Sequence, residues 1–237
     1  FTFSGLKDFM ASGRELAHAE LIGALLIAGF GTLISLFPFH SWAAPAYASA
    51  PAPVAMMHAG VLKKFGLYGL FMFQPLMETG FLPWTNILLV LLVCNVIWVG
   101  YVTVNQKRLD LLLGNSSVMH MGYIFLAFAA LVVSGSAEAN PWALKGAALL
   151  MLAHGLTIAL LFLLCGQIEK QTGTLEINSL GGLSTRLPRM AFVFGLAGMA
   201  SIGLPGLANF PGEFMVFFSG FAGFSNGFGP VQIATIL

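Results

Sequence analysis

Charged residues are scarce in this chain: they make up 8% of its 237 residues, and the net charge is +1. An average soluble domain has about 25% charged residues. The near-neutral balance leaves no basic patch for a nucleic acid, so we expect no nucleic-acid partner. Hydrophobic residues account for 58% of the chain, which is more apolar surface than a soluble body of this length could bury. The composition therefore predicts an all-α polytopic membrane protein.

Cysteine is also rare, and the usual cofactor motifs are missing. The two cysteines, Cys94 and Cys165, lie within apolar runs and show neither the CxxC nor the Cys/His spacing of a metal site. No GxGxxG or P-loop pattern is present. We expect no metal and no cofactor on this chain, so electron or nucleotide chemistry would belong to partner subunits. The sequence opens at Phe1 without an initiator methionine or a signal peptide of the usual form, and it stops at Leu237 inside an apolar stretch. We therefore expect it to be a fragment of a longer membrane subunit.

Long apolar stretches divide the chain into predicted spans, each of about 20 residues. We interpret residues 1–237 as a single transmembrane domain with six complete spans and the start of a seventh. The predicted spans are 20–38, 53–73, 85–104, 111–134, 143–166 and 189–208, and the incomplete one is 213–224.

The connections between the spans differ in positive charge, which predicts their orientation. One set carries Lys107, Arg108, Lys170 and Arg186, and the positive-inside rule places this set in the cytoplasm. It consists of residues 39–52, 105–110 and 167–188, whereas residues 1–19, 74–84 and 135–142 form the opposite set.

Two of the apolar segments are interrupted by proline and glycine, near Pro38 and near Pro205. Proline inside a helix removes a backbone hydrogen bond and clashes with the preceding turn. Broken backbone at membrane depth is tolerated where protein or a water-filled cavity satisfies it, and transporters built from repeats place polar sites at such breaks. Ordinary loops between helices are the alternative interpretation.

A pair of lysines, Lys63 and Lys64, lies in the middle of the second predicted span. An ammonium group in an apolar interior costs several kcal/mol unless it is paired, hydrated or able to release its proton. Lys64 is therefore our first candidate for a proton-carrying group, and snorkelling to an interface is its alternative role. Successive residues of a helix point about 100° apart, so we expect Lys63 to face another subunit or a hydrated gap.

Histidine and glutamate supply the other candidates. His58, His120 and His154 each lie within a predicted span, and histidine suits a proton relay because it both donates and accepts near neutral pH. A histidine that is simply hydrogen-bonded in the core is the alternative for each. Glu213 follows Pro211-Gly212, so it is a candidate for the end of a proton path, or merely a helix cap. Asp110 and Arg108 are most simply interfacial charges.

Five stretches together resemble one family, the M-type antiporter-like subunit of respiratory complex I, the proton-pumping NADH:quinone oxidoreductase. The resemblance runs from about Phe30 to Phe218, and its later motifs are AHG, GLPG and GEF. It is less decisive between this subunit and its relative, the D subunit of multi-subunit Na+/H+ antiporters. The stretches are HSWAAPAYASAP, AGVLKKFGLYG, NSSVMHMGY, LAHGLTIALLFLLCGQIEKQTGT and SIGLPGLANFPGEFMVF.

The resemblance implies a fold of about fourteen helices with two inverted five-helix repeats and two broken helices. This chain would cover the seventh helix to the start of the second half of the twelfth. By motif, Lys64 matches the central lysine of the family, His120 and His154 match two histidines of its hydrophilic axis, and Glu213 matches the acidic residue at the end of that axis. Among the secondary candidates, His58, Lys63 and His40, the last is the histidine of the family's HxW motif.

Three departures from the family pattern stand out. Leu33 occupies the position where the family usually has a lysine, seven residues before the HxW histidine. Tyr47 replaces a further histidine, and Arg108-Leu109-Asp110 has its charge signs exchanged relative to the family's DxK. Lys64 is therefore expected to carry a larger share of the proton transfer.

The resemblance implies a proton-translocating membrane-arm subunit of complex I in a bacterial inner membrane. NAD, FMN, iron–sulfur clusters and quinone would lie on partner subunits, and the neighbours of this chain would be other antiporter-like subunits and the lipid bilayer. Two alternatives stay open. One is the D-type subunit of a cation/proton antiporter or a related hydrogenase subunit, and the other is a structural subunit whose channel is inactive, as Leu33 suggests.

Overall fold

The computed structural model describes residues 2–12, 16–73, 76–221 and 229–236. Every regular element within these ranges is a helix, which confirms the predicted all-α class. The helices are α1 (Phe3–Ala11), α2 (Ala19–Ile34), α3 (Ala43–Ser49), α4 (Ala52–Met57), α5 (Lys63–Met72), α6 (Thr85–Val104), α7 (Leu109–Ser134), α8 (Pro141–Thr172), α9 (Leu183–Arg186), α10 (Pro188–Ser201), α11 (Asn209–Phe221) and α12 (Pro230–Ile236).

Three helical stretches are long and apolar enough to cross a membrane: Glu78–Val104, Leu109–Ser134 and Pro141–Thr172. They confirm the third, fourth and fifth predicted spans. The first of these stretches reaches beyond α6 because short π and 3₁₀ turns precede that helix. Residues 222–224 of the last predicted span, and Arg14 and Glu15 of the N-terminal segment, lie outside the described residues.

Both predicted breaks are present. Helix α2 ends at Ile34, and the chain leaves the helix over residues 35–42, which we call the first break. Helix α10 ends at Ser201, and residues 202–208 form the second break before α11. The first and sixth predicted spans are therefore shorter helices than expected, with 16 and 14 residues.

The segment after the first break is a helix within the bundle. Helix α3 packs against α7, and its residues Ala43, Ala44 and Tyr47 are buried. The prediction that residues 39–52 form only a connection on the cytoplasmic side was wrong over 43–49, because the small side chains of this segment allow it to pack as a second half-helix.

A π-helical turn, His58–Leu62, joins α4 and α5, in the middle of the second predicted span. Here α8 comes very close, since a Cβ added to Gly155 would lie 2.7 Å from the carbonyl oxygen of Gly60. Only glycine at this position allows the two backbones to approach so closely. Such π turns are rare, and they frequently occur at functional sites.

Helix α7 lies at the centre of the bundle and packs against α3, α6, α8 and α11. Of its apolar stretch 78% is buried, against 28% for Glu78–Val104, whose apolar side chains face outward. At one end of the bundle, the N–H of Leu109 donates to the Leu175 carbonyl and that of Ile177 to the Lys107 carbonyl, each at 2.9 Å. Connections 105–110 and 167–188 therefore lie at the same end, as the charge bias predicts.

Candidate functional site

Lys64 is held in the interior by the π turn. It is the second residue of α5 and is 7% exposed. Its Nζ donates a hydrogen bond to the carbonyl oxygen of Ala59, which lies in that turn. The side chain also lines a groove of about 600 Å³ between the α4–α5 segment and α8, whose other lining residues are almost entirely apolar. Snorkelling to a charged interface is therefore not what this side chain does in the structure.

Lys63 is completely buried within this chain. Its Nζ lies 5.5 Å from the centre of the Tyr47 ring and has no hydrogen-bond partner among the described residues. The expectation that Lys63 faces another subunit was therefore wrong, and the hydrated gap stays a prediction. The two lysines do point in different directions, but each direction meets another part of the bundle. Lys63 meets Tyr47 of α3, and Lys64 faces α8.

Two of the predicted histidines form a stacked pair between α7 and α8. The rings of His120 and His154 lie 5.0 Å apart at an angle of 11°. His154 is fully buried, and its Nε2 lies 3.5 Å from the hydroxyl of Ser117. The charge of Lys64 acts on both rings, so the lysine and the two histidines form one electrostatic unit.

His120 links this pair to the second break. Its Nδ1 lies 2.9 Å from the carbonyl oxygen of Ser116, and its Nε2 lies 2.8 Å from that of Ser201, the last residue of α10. A neutral imidazole has a single N–H, and only the imidazolium form donates to two carbonyls at once. The contacts therefore suit a group that holds a proton.

Glu213 lies on the far side of the second break. Its carboxylate is packed so closely against Gly203 that a Cβ there would overlap it, and its charge acts on the Tyr123 hydroxyl. Glu213 is the fifth residue of α11, and the first turn of that helix has no acidic residue. The helix-cap alternative for Glu213 was wrong, because α11 begins four residues earlier than the proline-glycine pair suggests.

His58 and His40 lie near Lys63 rather than on this axis. The Nδ1 of His58 is 3.3 Å from the Tyr47 hydroxyl, and the ring of His58 is half-buried between Tyr47 and Trp42. His40 lies in the first break and stacks on Phe37 at 5.3 Å. The charge of Lys63 acts on both histidines.

The sequence analysis missed two asparagines, Asn95 and Asn209, whose side chains hydrogen-bond to the backbone at the two breaks. Asn95 of α6 is fully buried. Its Oδ1 accepts the N–H of Phe37 at 3.1 Å, and its Nδ2 donates to the carbonyl of Val118 at 3.0 Å. Asn209 lies at the start of α11 and donates to the Ser201 carbonyl at 3.4 Å. The signal for Asn95 was an isolated amide in an apolar span, a residue type that is costly to bury without partners.

Arg108 and Asp110, which the sequence suggests are interfacial charges, pair with each other. Arg108 and Asp110 form an ion pair of 2.6 Å just before and within the first turn of α7. The hydrogen bonds that the Arg108 guanidinium donates to the Asp110 carboxylate raise the pKa of Arg108. Over the described residues, no group of three or more histidine, cysteine, aspartate and glutamate side chains is placed to hold a metal ion.

Comparison with known proteins gives the same family for nearly the whole chain. The family described as NADH:quinone oxidoreductase/Mrp antiporter, transmembrane, matches residues 1–231. A chain 4 of the NAD(P)H-quinone oxidoreductase from Microcystis aeruginosa is 36% identical over 90% of this chain and 36% of its own length. Another from Synechococcus elongatus is 37% identical over 97% of this chain and 41% of its own. The chain thus spans about two fifths of the curated relatives it matches.

Solved structures agree with the sequence relatives. A chain of respiratory complex I from Thermus thermophilus with bound NADH is 28% identical, with a TM-score of 0.82, over 98% of this chain and 47% of that one. A chain of the Mrp complex from Dietzia shares the fold, with a TM-score of 0.77 at 18% identity, over 99% of this chain and 44% of that one. The antiporter-like fold that the motifs predicted is confirmed. The chain is a multi-pass membrane protein that belongs to the NADH:quinone oxidoreductase/Mrp antiporter transmembrane family.

Proposed function

We propose that this chain is part of a proton-translocating membrane-arm subunit of an NADH:quinone oxidoreductase, complex I, in a bacterial inner membrane. The observation that carries the proposal is the sequence of ionisable groups through the bundle. The charge of Lys64 acts on the stacked pair His154 and His120. His120 contacts the end of α10 before the second break, and Glu213 packs against Gly203 within that break. The chain-4 identity of the curated relatives supports the assignment to the quinone-linked complex.

Lys64 would hold the proton at its Nζ in the resting state. Quinone reduction in a partner subunit would change the field along this axis and displace the proton toward the histidines. A thousandfold change in a proton-binding equilibrium needs about 4 kcal/mol. One charge about 4 Å away supplies that at an effective dielectric constant of about 20, so the energy required is within reach of a single neighbouring charge.

The histidine pair would pass the proton on in two steps. Stacked rings direct their N–H bonds within parallel planes, so the two imidazoles cannot form a linear N–H···N bond with each other. The Ser117 hydroxyl beside His154 Nε2 offers a group that both accepts and donates. His120 would then hold the proton between its two carbonyls until it moves across the second break to the Glu213 carboxylate.

The chain would supply no redox chemistry of its own. NAD, FMN, iron–sulfur clusters and quinone would be bound by partner subunits, and the neighbours of this chain would be other antiporter-like subunits and the bilayer. The transported ion would be H+. The second candidate is a D-type subunit of a cation/proton antiporter, which the family description and the shared fold of the Mrp complex support.

The test uses the full-length subunit in its native complex, reconstituted in sealed vesicles. Proton uptake per NADH oxidised is measured for wild type and Lys64→Ala, together with quinone reductase activity. We expect proton uptake to fall about a hundredfold in Lys64→Ala, in the range of lost general acid–base catalysis. The control is Lys107→Ala, which removes an exposed lysine from a connection and is expected to pump normally.

Two results would contradict the proposal. Unchanged pumping in Lys64→Ala would leave the chain a structural membrane subunit with an inactive channel. A complex without NADH oxidation, but with Na+-dependent proton exchange, would favour the antiporter assignment.

A further inference from the structure

We propose that Lys63 forms a second proton-binding site at the first break, and that Lys63 and Lys64 hold protons alternately. This inference rests on the proposed function of the Lys64 axis. A proton that arrives on the Lys63 amine would repel the proton on Lys64 and drive it toward His154. The site consists of Lys63 with His40, Tyr47 and His58.

Helix packing directs Lys63 toward the first break. On α5, a Cβ added to Gly69 or Gly66 would meet Phe30 and Ile34 of α2, at 2.5 Å and 2.6 Å. Lys63 lies one turn before Gly66 on the same face, since residues three apart share a face of a helix. Gly69 and Gly66 on this face contact α2, and α2 ends at Ile34. Lys63, the next residue on the face, therefore lies beside the first break that follows α2.

Three polar side-chain atoms at or beside this break lack partners. The Nζ of Lys63, the Nδ1 of His40 and the Oγ of Ser35 are all buried, and none has a hydrogen-bond partner among the described residues. A buried polar group without a hydrogen bond costs about 1–3 kcal/mol, and an ammonium costs more. Three such groups around one break indicate a site whose hydrogen bonding changes as protons arrive and leave.

Tyr47 lies between the buried Lys63 and the partly exposed His58. The Tyr47 ring faces the Lys63 ammonium, which stabilises the charged form through a cation–π contact. The Tyr47 hydroxyl in turn contacts His58, which is half-buried. In the proposed transfer, Lys63 is first the neutral amine and its Nζ moves from the ring face to the Tyr47 hydroxyl. The phenol proton then passes to the Nζ lone pair while the His58 imidazolium gives its proton to the Tyr47 oxygen, which leaves His58 neutral, Tyr47 a phenol and Lys63 an ammonium.

The two lysines are coupled by their charges. Lys63 and Lys64 interact electrostatically with each other, and both act on His154. Like charges repel, so the second proton binds less readily than the first. Two adjacent buried amines with separate outlets, the first break for Lys63 and His154 for Lys64, therefore favour alternate occupation over joint occupation.

Three substitutions of Lys63 separate proton exchange from a fixed charge. Lys63→Met keeps the length and loses the amine, Lys63→Arg keeps a charge that does not dissociate, and Lys63→His keeps a group that titrates. In the reconstituted full complex, we expect Lys63→Met and Lys63→Arg each to lower the number of protons pumped per NADH about tenfold or more. We expect Lys63→His to retain much of the wild-type pumping. The amount of assembled complex and the quinone reductase activity are measured for each variant.

Normal pumping by Lys63→Arg would overturn the proposal, because a permanent charge would then be sufficient. Normal pumping by Lys63→Met would also overturn it. If the Lys63 variants do not assemble, Tyr47→Phe decides, since it removes only the hydroxyl and is expected to lower pumping severalfold. Its control is Tyr101→Phe at an exposed position on α6, and equal pumping by the two would refute the second site. A normal Lys64→Ala together with a defective Lys63→Met would instead refute the proposed Lys64 axis.

Discussion

The two breaks of this bundle are fastened in different ways. At the second break, the carbonyl at the end of α10 accepts hydrogen bonds from His120 and Asn209, and no buried side-chain atom of residues 201–213 lacks a partner. At the first break, Asn95 accepts the backbone N–H of Phe37, but Ser35 and His40 keep buried atoms without partners. The buried polar side chains of the second break are thus satisfied, whereas the first break has unsatisfied hydrogen-bonding groups beside the buried Lys63.

This difference indicates that the two breaks have different roles. The hydrogen bond to the Ser201 carbonyl holds His120 at a fixed position against the end of α10, as a relay requires. A break with unsatisfied buried groups lowers the stability of the protein. We therefore expect such groups where they exchange hydrogen-bond partners during function. Proteins store such costs at functional sites when the surrounding structure holds the arrangement in place.

The largest stability effect is expected at Asn95. In Asn95→Leu, the N–H of Phe37 loses its acceptor inside the bundle, which costs about 1–3 kcal/mol. Asn209→Leu is expected to cost less, because His120 still donates to the Ser201 carbonyl. The thermal unfolding midpoint of the detergent-solubilised complex measures both. The control is Asn86→Ala, at an exposed position on α6, and an Asn209 variant as unstable as the Asn95 variant would remove the contrast between the breaks.

The second prediction separates backbone strain from displacement of Glu213. Gly203 and Gly206 both have a positive φ, of 70° and 92°, so alanine strains the backbone at either position by about 1 kcal/mol. A Cβ at Gly203 would overlap the Glu213 carboxylate, whereas one at Gly206 meets no atom within 4 Å. We expect Gly203→Ala to lower protons per NADH about tenfold, and Gly206→Ala to leave that ratio near wild type. Equal ratios in the two variants would show that the position of Glu213 does not matter.

Much of the fold was predictable because its signals are local. Apolar runs predicted six complete spans, and three of these are helices long and apolar enough to cross a membrane. Pro38 and Pro205 marked both breaks. The π turn before Lys63 was not predictable, since it depends on the close approach of Gly60 and Gly155, which are far apart in the sequence.

The candidate site was predictable in its residue types and not in its geometry. Buried ionisable groups in apolar spans are conspicuous, so Lys64, His120 and His154 stood out. The direction of Lys63 was misjudged because the angle between two side chains says nothing about which neighbours flank the helix. Asn95 was missed because its role is set by the backbone of two other segments, which a single sequence does not reveal.

The smallest effect is expected at Thr157, where the second break touches α8. Its hydroxyl donates to the Ala153 carbonyl at 2.8 Å and lies 3.4 Å from the Oδ1 of Asn209. Thr103 on α6 makes only the equivalent bond within its helix, to Val99 at 2.6 Å, so Thr103→Val is the matched control. We expect Thr157→Val to lower thermal stability by about 0.5–1.5 kcal/mol more than the control, with proton pumping nearly unchanged. A large loss of pumping would mean that the hydroxyl carries protons, and the relay across the second break would then run through α8 as well as through His120.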